Sequence, residues 1–177
     1  MKNRQVSSSA IFREEQRFTQ PWLWALLLGG LAVSLAAAYP LIVKFQQIDC
    51  PVPLSLWLSI VFPPALMLLI ITLFALTRLA TEVRPEGIAV SFRPLQFQPK
   101  LIPFSEIADY QSVTYRPILE YGGWGIRRGR TGYAYNVSGN RGLLLTLKGG
   151  KTFLIGSQQP ERLKAAMDSA FRSRPVG

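Results

Sequence analysis

The sequence predicts a membrane helical hairpin joined to a small α+β domain, in which a strongly bent antiparallel sheet is closed by a C-terminal helix. Residues 22–43 and 54–77 contain no charged side chain. Each run is long enough to cross a hydrocarbon core of about 30 Å at about 1.5 Å per residue. Residues 80–177 instead carry short alternating apolar patterns separated by turn residues, which is typical of strands.

The distribution of lysine and arginine predicts the orientation of the two helices. Residues 1–21 hold four of the twenty basic side chains, residues 44–53 hold one, and the chain after residue 77 holds fifteen. The positive-inside rule therefore places residues 1–21 and 80–177 in the cytoplasm and the short loop outside. This predicts a multi-pass protein of the plasma (inner) membrane with both termini cytoplasmic.

Side chains at the ends of the apolar runs are predicted to act as juxtamembrane anchors. Tryptophans at the starts of the runs fit the interfacial belt of membrane proteins, and arginines following the second run fit the cytoplasmic headgroup region. The predicted anchors are Trp22, Trp24, Trp57, Arg78 and Arg84.

Small residues in the first run predict how the two helices pack. Gly30, Ser34 and Ala38 recur at four-residue spacing, which lets another helix approach closely, and the second run is the obvious partner. Pro63 and Pro64 predict a kink in that second helix, because they remove two backbone donors.

The first run has a second interpretation, a cleaved secretory signal with residues 36–38 as the cleavage site. The long polar segment before it and the length of the run itself favour a retained helix. Within that polar segment, residues 11–18 are predicted to form a short interfacial helix. Cys50 is the single cysteine, so an intramolecular disulfide is excluded, although an intermolecular one stays open.

The β domain is predicted to contain about seven strands and one amphipathic helix. Ser157 and Pro160 are typical of a helix start, and an apolar stripe follows them. The clearest strand signals are a hairpin at 81–93 that turns at 85–87, a run at 107–115, and a hairpin at 143–156 that turns at 148–150.

This order of elements resembles a pleckstrin-homology-like (PH-like) domain. The whole chain is similar to bacterial membrane proteins in which a two-helix hairpin carries such a domain in the cytoplasm. Besides the two apolar runs, the resemblance is carried by residues 120–127, 132–150 and 153–167. It implies a bent antiparallel barrel or sandwich with a C-terminal capping helix. The first hairpin loop, residues 84–87, lacks the basic cluster of phosphoinositide-binding PH domains, so the resemblance does not imply that ligand.

The residues needed for catalysis, metal binding or cofactor binding do not form a recognisable pattern. Histidine is absent, the cysteine is single and the acidic residues are scattered, so no catalytic residue, metal site or cofactor is predicted. Residues 149–152 read GGKT, but a phosphate-binding loop needs a glycine at position 145, which is Leu145. The chain is therefore predicted not to be an enzyme.

Residues 120–142 are the most unusual stretch, since they hold seven of the fourteen glycines together with four arginines. The glycines predict sharp bends in the sheet. The clustered arginines favour an anionic partner, either lipid headgroups or an acidic protein surface. The membrane anchor argues against nucleic acid. The candidate binding residues are Trp124, Arg127, Arg128, Arg130, Tyr133, Tyr135 and Arg141.

Two functions of different classes follow from these predictions. In the first, the chain is a membrane-tethered binding or scaffolding module whose partners are membrane lipid and a protein, or a second copy of the chain. In the second, it is a structural subunit of a membrane complex that acts mainly through its transmembrane hairpin.

Overall fold

The computed structural model describes residues 10–47, 53–96, 98–129 and 132–173, and these form two compact units. One unit is a helical hairpin within Thr19–Leu76, and the other is a β domain. The β domain takes its residues from both sides of the hairpin, from the segment ending at Phe18 and from Thr77 onward. The hairpin is therefore an insertion into the β domain, whereas the sequence predicted a β domain that begins only at residue 80.

The hairpin consists of α1 (Pro21–Phe45) and α2 (Leu54–Leu76), both long and apolar enough to cross a membrane. α2 remains helical through Pro63 and Pro64, so the two prolines do not end it. Two apolar helices of the predicted length are thus confirmed.

The predicted small-residue face of α1 contacts α2. A Cβ placed on Gly30 would stand 3.0 Å from the Met67 Cε atom, so a larger residue there would push against that side chain. Ser34 and Ala38 line a cavity of about 100 Å³, together with α2 residues that include Ser59, Ile60 and Pro63. The small residues therefore serve the packing of the hairpin itself.

The segment before the hairpin is a strand, β1 (Phe12–Arg17), so the predicted interfacial helix at residues 11–18 is wrong. β1 pairs antiparallel with β2 (Arg78–Arg84), and Arg17 lies opposite Arg78. The burial of β1 alternates with a period of two, and its inward residues include Glu14 and Gln16. Because these inward side chains are polar, apolar periodicity could not reveal the strand.

The β domain contains two sheets in the part of the chain that the structure describes. The remaining strands and α-helices are β3 (Gly87–Arg93), β4 (Lys100–Pro103), β5 (Ile107–Thr114), α3 (Pro117–Tyr121), β6 (Gly125–Arg128), β7 (Gly132–Asn136), β8 (Arg141–Leu147), β9 (Thr152–Gly156) and α4 (Pro160–Arg172). The first sheet has the order β1–β2–β3–β4 and is fully antiparallel; the second has the order β5–β8–β9–β7–β6, in which β7 and β9 are parallel.

The core lies between the two sheets and is covered by α4. Phe92 of β3 packs edge-on against Tyr135 of β7, which in turn contacts Phe153 of β9. Leu163 and Met167 of α4 are fully buried. The predicted hairpins β2–β3 and β8–β9 and the C-terminal helix are confirmed, but there are nine described strands rather than about seven.

Buried hydrogen bonds join β1 to the second sheet. Glu14 is only 6% exposed, and its carboxylate accepts hydrogen bonds from the Ser157 hydroxyl at 2.6 Å and from the Gln158 backbone N–H at 2.7 Å. The Gln16 side-chain amide donates to the Gly156 carbonyl at 2.7 Å. The strand that precedes the hairpin in sequence thus connects the first sheet to the link between β9 and α4.

A version of the β domain without the hairpin is expected to fold when Phe18 is joined to Thr77 through Asn-Gly. Arg17 and Arg78 already face each other across an antiparallel pair, and Asn-Gly closes such pairs in a two-residue turn. Chemical denaturation followed by circular dichroism should show one cooperative transition. The fragment 77–177, which lacks β1 but keeps all of β2, should unfold at lower denaturant; equal midpoints would contradict the structural role of β1.

In this joined domain, Glu14→Ala is expected to lower the free energy of unfolding by about 1–3 kcal/mol, because the buried Ser157 hydroxyl loses its acceptor. Glu15→Ala is the matched control. The Glu15 carboxylate makes only a partly exposed ion pair with Arg78 at 3.0 Å, which is worth below about 1 kcal/mol. Equal losses in the two variants would show that the Glu14 hydrogen bonds contribute no more to the free energy of unfolding than the partly exposed Glu15 ion pair does.

Candidate partner-binding surface

The glycine-rich stretch forms the turn after α3 and the edge of the second sheet. α3 ends at Gly122, whose φ of 71° is the left-handed conformation that glycine adopts most easily at a helix C-terminus. Gly132 begins β7 beside β9, where an added Cβ would stand 1.7 Å from the Thr152 carbonyl oxygen. These two glycines are therefore required by the backbone, at a helix end and at a close strand contact rather than at the sheet bends that the sequence predicted.

Arg127 and Arg128 lie on the edge strand β6 and point to opposite faces of the sheet. Arg127 is paired with Ala134, and Arg128 with Tyr133. The Arg127 Nε donates to the Trp124 carbonyl at 3.0 Å, whereas the Arg128 guanidinium stands 6.0 Å from the centroid of the Tyr133 ring. The two neighbouring arginines therefore belong to different surfaces.

Two other members of the predicted patch are placed elsewhere, and this corrects the prediction. Tyr135 is 5% exposed, and its ring belongs to the core. Arg141 begins β8, which is separated from β6 by β9 and β7, and it forms an ion pair with Glu161 at 3.3 Å. Tyr135 shares a face of β7 with the half-exposed Tyr133, but it lies further along the strand, where Phe92 and Phe153 cover its ring. Arg130 lies outside the described residues.

A second cation that the sequence did not indicate accompanies Arg128. The Nζ of Lys100, at the start of β4, stands 5.2 Å from the Tyr133 ring centroid and 4.8 Å from that of Phe153. Lys100 and Arg128 thus both form cation–π contacts with the Tyr133 ring. The Tyr133 side chain is 40% exposed. Lys100 is distant from residues 120–142 in sequence, so no local pattern could connect them.

The most exposed apolar side chains of the β domain near the predicted patch are on α3. Ile118 is 63% and Leu119 76% exposed. Together with Trp124 and the exposed Arg116 they line a groove of about 290 Å³, and the Trp124 indole N–H donates to the Gly139 carbonyl at 3.0 Å. We call the residues Arg116, Ile118, Leu119, Trp124 and Arg127 the α3 surface.

The charge of the α3 surface is positive. Arg116 and Arg127 are exposed, and the one acidic side chain of the helix, Glu120, accepts a hydrogen bond from the Arg116 backbone N–H at 2.8 Å. α3 was not predicted from the sequence, although Pro117 at its first position and Gly122 after its end are the usual signals of a helix start and stop. Apolar side chains flanked by arginines suit a partner that is both apolar and acidic.

Tyr115 lies beneath this groove with its hydroxyl in the protein interior. Burial raises the pKa of Tyr115 to about 12, and the neighbouring Asn136 amide opposes this only in part. The hydroxyl faces Asn136 without a hydrogen bond of normal geometry, and none of the other described residues supplies a partner. The ring packs edge-on against Tyr121, so the aromatic body of Tyr115 contributes packing rather than polar contacts.

The predicted membrane anchors are also separated by the structure. Arg78 begins β2 directly after the hairpin, but Arg84 lies at the far end of the strand, about 20 Å away at 3.3 Å per residue. The Arg84 guanidinium is bound to Glu82 at 2.7 Å. Arg78 and Arg84 therefore lie at opposite ends of the same strand. Trp22 and Trp57, 54% and 43% exposed, lie in the first turns of α1 and α2.

Comparisons of the chain with protein-family models, curated proteins and solved structures give no match. Within the described ranges, no group of three or more His, Cys, Asp or Glu side chains is placed to hold a metal ion.

Tyr115→Phe is expected to leave the stability of the joined domain at neutral pH unchanged or higher, because the hydroxyl that it removes is buried without a partner. In the parent domain, the unfolded phenol ionises near pH 10 but the folded one only near the pKa of about 12. The fold therefore loses stability as the pH rises from about 10 toward 12, because in that range the phenol ionises in the unfolded state but stays neutral in the folded one. As the pH is raised from about 10 toward 12, the denaturation midpoint of Tyr115→Phe should therefore fall less than that of the parent domain.

Tyr110→Phe provides the contrast for this measurement. Burial and a hydrogen bond to Asp168 also raise the pKa of Tyr110 to about 12. Removing this hydroxyl should destabilise the domain at neutral pH, since a hydrogen bond is lost. A Tyr115→Phe variant as destabilised as Tyr110→Phe would show that the Tyr115 hydroxyl has a partner after all.

Proposed function

We propose that this chain is a multi-pass protein of the plasma (inner) membrane that holds a PH-like domain in the cytoplasm as a non-enzymatic module for binding an acidic protein partner. The observation that carries the proposal is the insertion of the helical hairpin between the paired strands β1 and β2. Strands can pair only within one compartment. Two membrane-spanning helices return the chain to its starting side and satisfy this requirement.

The same pairing argues against a cleaved secretory signal. Cleavage at residues 36–38 would detach β1, whose Glu14 and Gln16 hold the link between β9 and α4. The excess of lysine and arginine outside the hairpin favours the cytoplasm as the common compartment of β1 and the rest of the domain. Two packed sheets covered by a C-terminal helix support the PH-like assignment, whereas the parallel β7–β9 pair departs from a purely antiparallel domain.

The binding role rests on the α3 surface. Ile118 and Leu119 expose apolar area that a folded domain normally buries, and Arg116 and Arg127 beside them favour carboxylates. An acidic segment with apolar side chains, in a protein at the same membrane, matches both features. Charged residues at the rim of such a contact mainly steer association, and apolar anchors supply most of the affinity.

The alternative role as an assembly subunit has weaker support. The small-residue face of α1 is already in contact with α2, through Gly30 and Met67. Other faces of the hairpin expose large apolar side chains, such as Val33 at 70% and Phe62 at 62%. Bilayer lipid would cover these side chains as well as another protein would, so they do not favour assembly.

Site-specific photocrosslinking in membranes of the native host tests the proposal. A photoreactive residue in place of Leu119 in the full-length chain should yield a protein adduct, and one in place of Lys148 in the β8–β9 turn should not. The double variant Arg116→Glu/Arg127→Glu should reduce the Leu119 adduct at least about tenfold, as expected if charge complementarity contributes about 1.4 kcal/mol.

The matched control reverses two charges elsewhere, with Lys148→Glu/Lys151→Glu, and should leave the Leu119 adduct intact. If only lipid adducts form at position 119, the α3 surface contacts the bilayer and the protein-binding role is wrong. The same conclusion follows if both double variants reduce the protein adduct equally.

A further inference from the structure

Three arginines lie side by side across the first sheet. Arg17 of β1 is opposite Arg78 of β2, which is opposite Arg93 of β3. Residues paired in this way point to the same face, with Cβ atoms about 4.5–5.5 Å apart. The next residues along β2 and β3, Leu79 and Phe92, are buried, so the arginines point away from the core. We call Arg17, Arg78 and Arg93 the arginine row.

The arginine row carries more positive charge than the surrounding acids neutralise. Arg78 is paired with Glu15 at 3.0 Å, while the other acid on this face, Glu82, is occupied at the opposite end of the strands by Arg13 and Arg84. Arg17 and Arg93 are exposed, and among the described residues neither has a carboxylate within salt-bridge distance. Like charges placed directly opposite each other in a sheet are destabilising, so this arrangement favours an anionic partner.

Covalent connectivity limits how far the row can be from the ends of the hairpin. Arg17 is four residues before the first residue of α1, and Arg78 is two residues after the last residue of α2. At no more than about 3.6 Å per residue, the two Cα atoms lie within about 14 Å and about 7 Å of those helix ends. Leu95, two residues after Arg93, is 70% exposed and adds an apolar side chain after β3.

We propose that the arginine row binds the phosphate groups of anionic lipid headgroups in the bilayer that contains the hairpin. Guanidinium groups bind phosphate oxygens in a bidentate manner, and arginine side chains are long enough to reach the interface from a strand end. The inference rests on the membrane insertion in the proposed function but not on the α3 surface. It assigns lipid and protein partners to separate sets of arginines.

The test uses the full-length protein in nanodiscs of phosphatidylcholine, with or without added phosphatidylglycerol. Added phosphatidylglycerol should raise the melting temperature of the wild-type β domain, followed by its circular dichroism. In Arg17→Gln/Arg93→Gln most of that rise should be lost. Glutamine keeps much of the aliphatic stem and removes the charge, so the melting temperature in pure phosphatidylcholine should stay near that of the wild type.

The matched control, Lys148→Gln/Lys151→Gln, removes the same charge from the β8–β9 turn and should keep the full rise. Equal loss in both variants would mean that lipid acts only through net charge and would overturn the assignment, as would a wild type that shows no rise. Carbonate extraction of native membranes distinguishes a failure of lipid binding by the arginine row from a failure of the proposed membrane insertion. A chain that extracts as a peripheral protein is not inserted, whereas an inserted chain without the lipid effect refutes the arginine row alone.

Discussion

The antiparallel pairing of β1 with β2 ties together the two ends of the helical hairpin, and the rest of the fold depends on it. Six residue pairs connect Phe12–Arg17 to the strand that follows the hairpin. Only with β1 in place can Glu14 and Gln16 reach the link between β9 and α4 and join the first sheet to the second. The same pairing brings Arg17 beside Arg78, so it forms part of the arginine row as well as the core.

The positive charge of the β domain is divided among several surfaces by the geometry of strands. Side chains alternate between faces, so Arg127 joins the α3 surface while its neighbour Arg128 stands by Tyr133 and Lys100. Arg17, Arg78 and Arg93 are far apart in sequence but become neighbours through register. A count of basic residues along the chain therefore says little about which cations a partner would meet together.

The parts of the fold that could be predicted are those with local apolar signals. Two uncharged runs define α1 and α2, and alternation with glycine turns defines the hairpins β2–β3 and β8–β9. β1 has no such signal, because its inward positions hold Glu14 and Gln16, whose partners lie more than a hundred residues away. For the same reason the sheet order, the parallel β7–β9 pair and the burial of Tyr135 depend on long-range contacts that no local pattern encodes.

The insertion of the hairpin within the β domain also sets the order of events during synthesis. β1 is made first, yet its neighbour β2 appears only after both apolar helices, and the partners of Glu14 are separated from it by 143 and 144 residues. Such distant contacts form late in folding. Under the proposed membrane topology, a chain that inserted only one helix would leave β1 and β2 in different compartments and could not complete its first sheet. Under the same proposed topology, folding of the β domain would report whether both helices have been inserted.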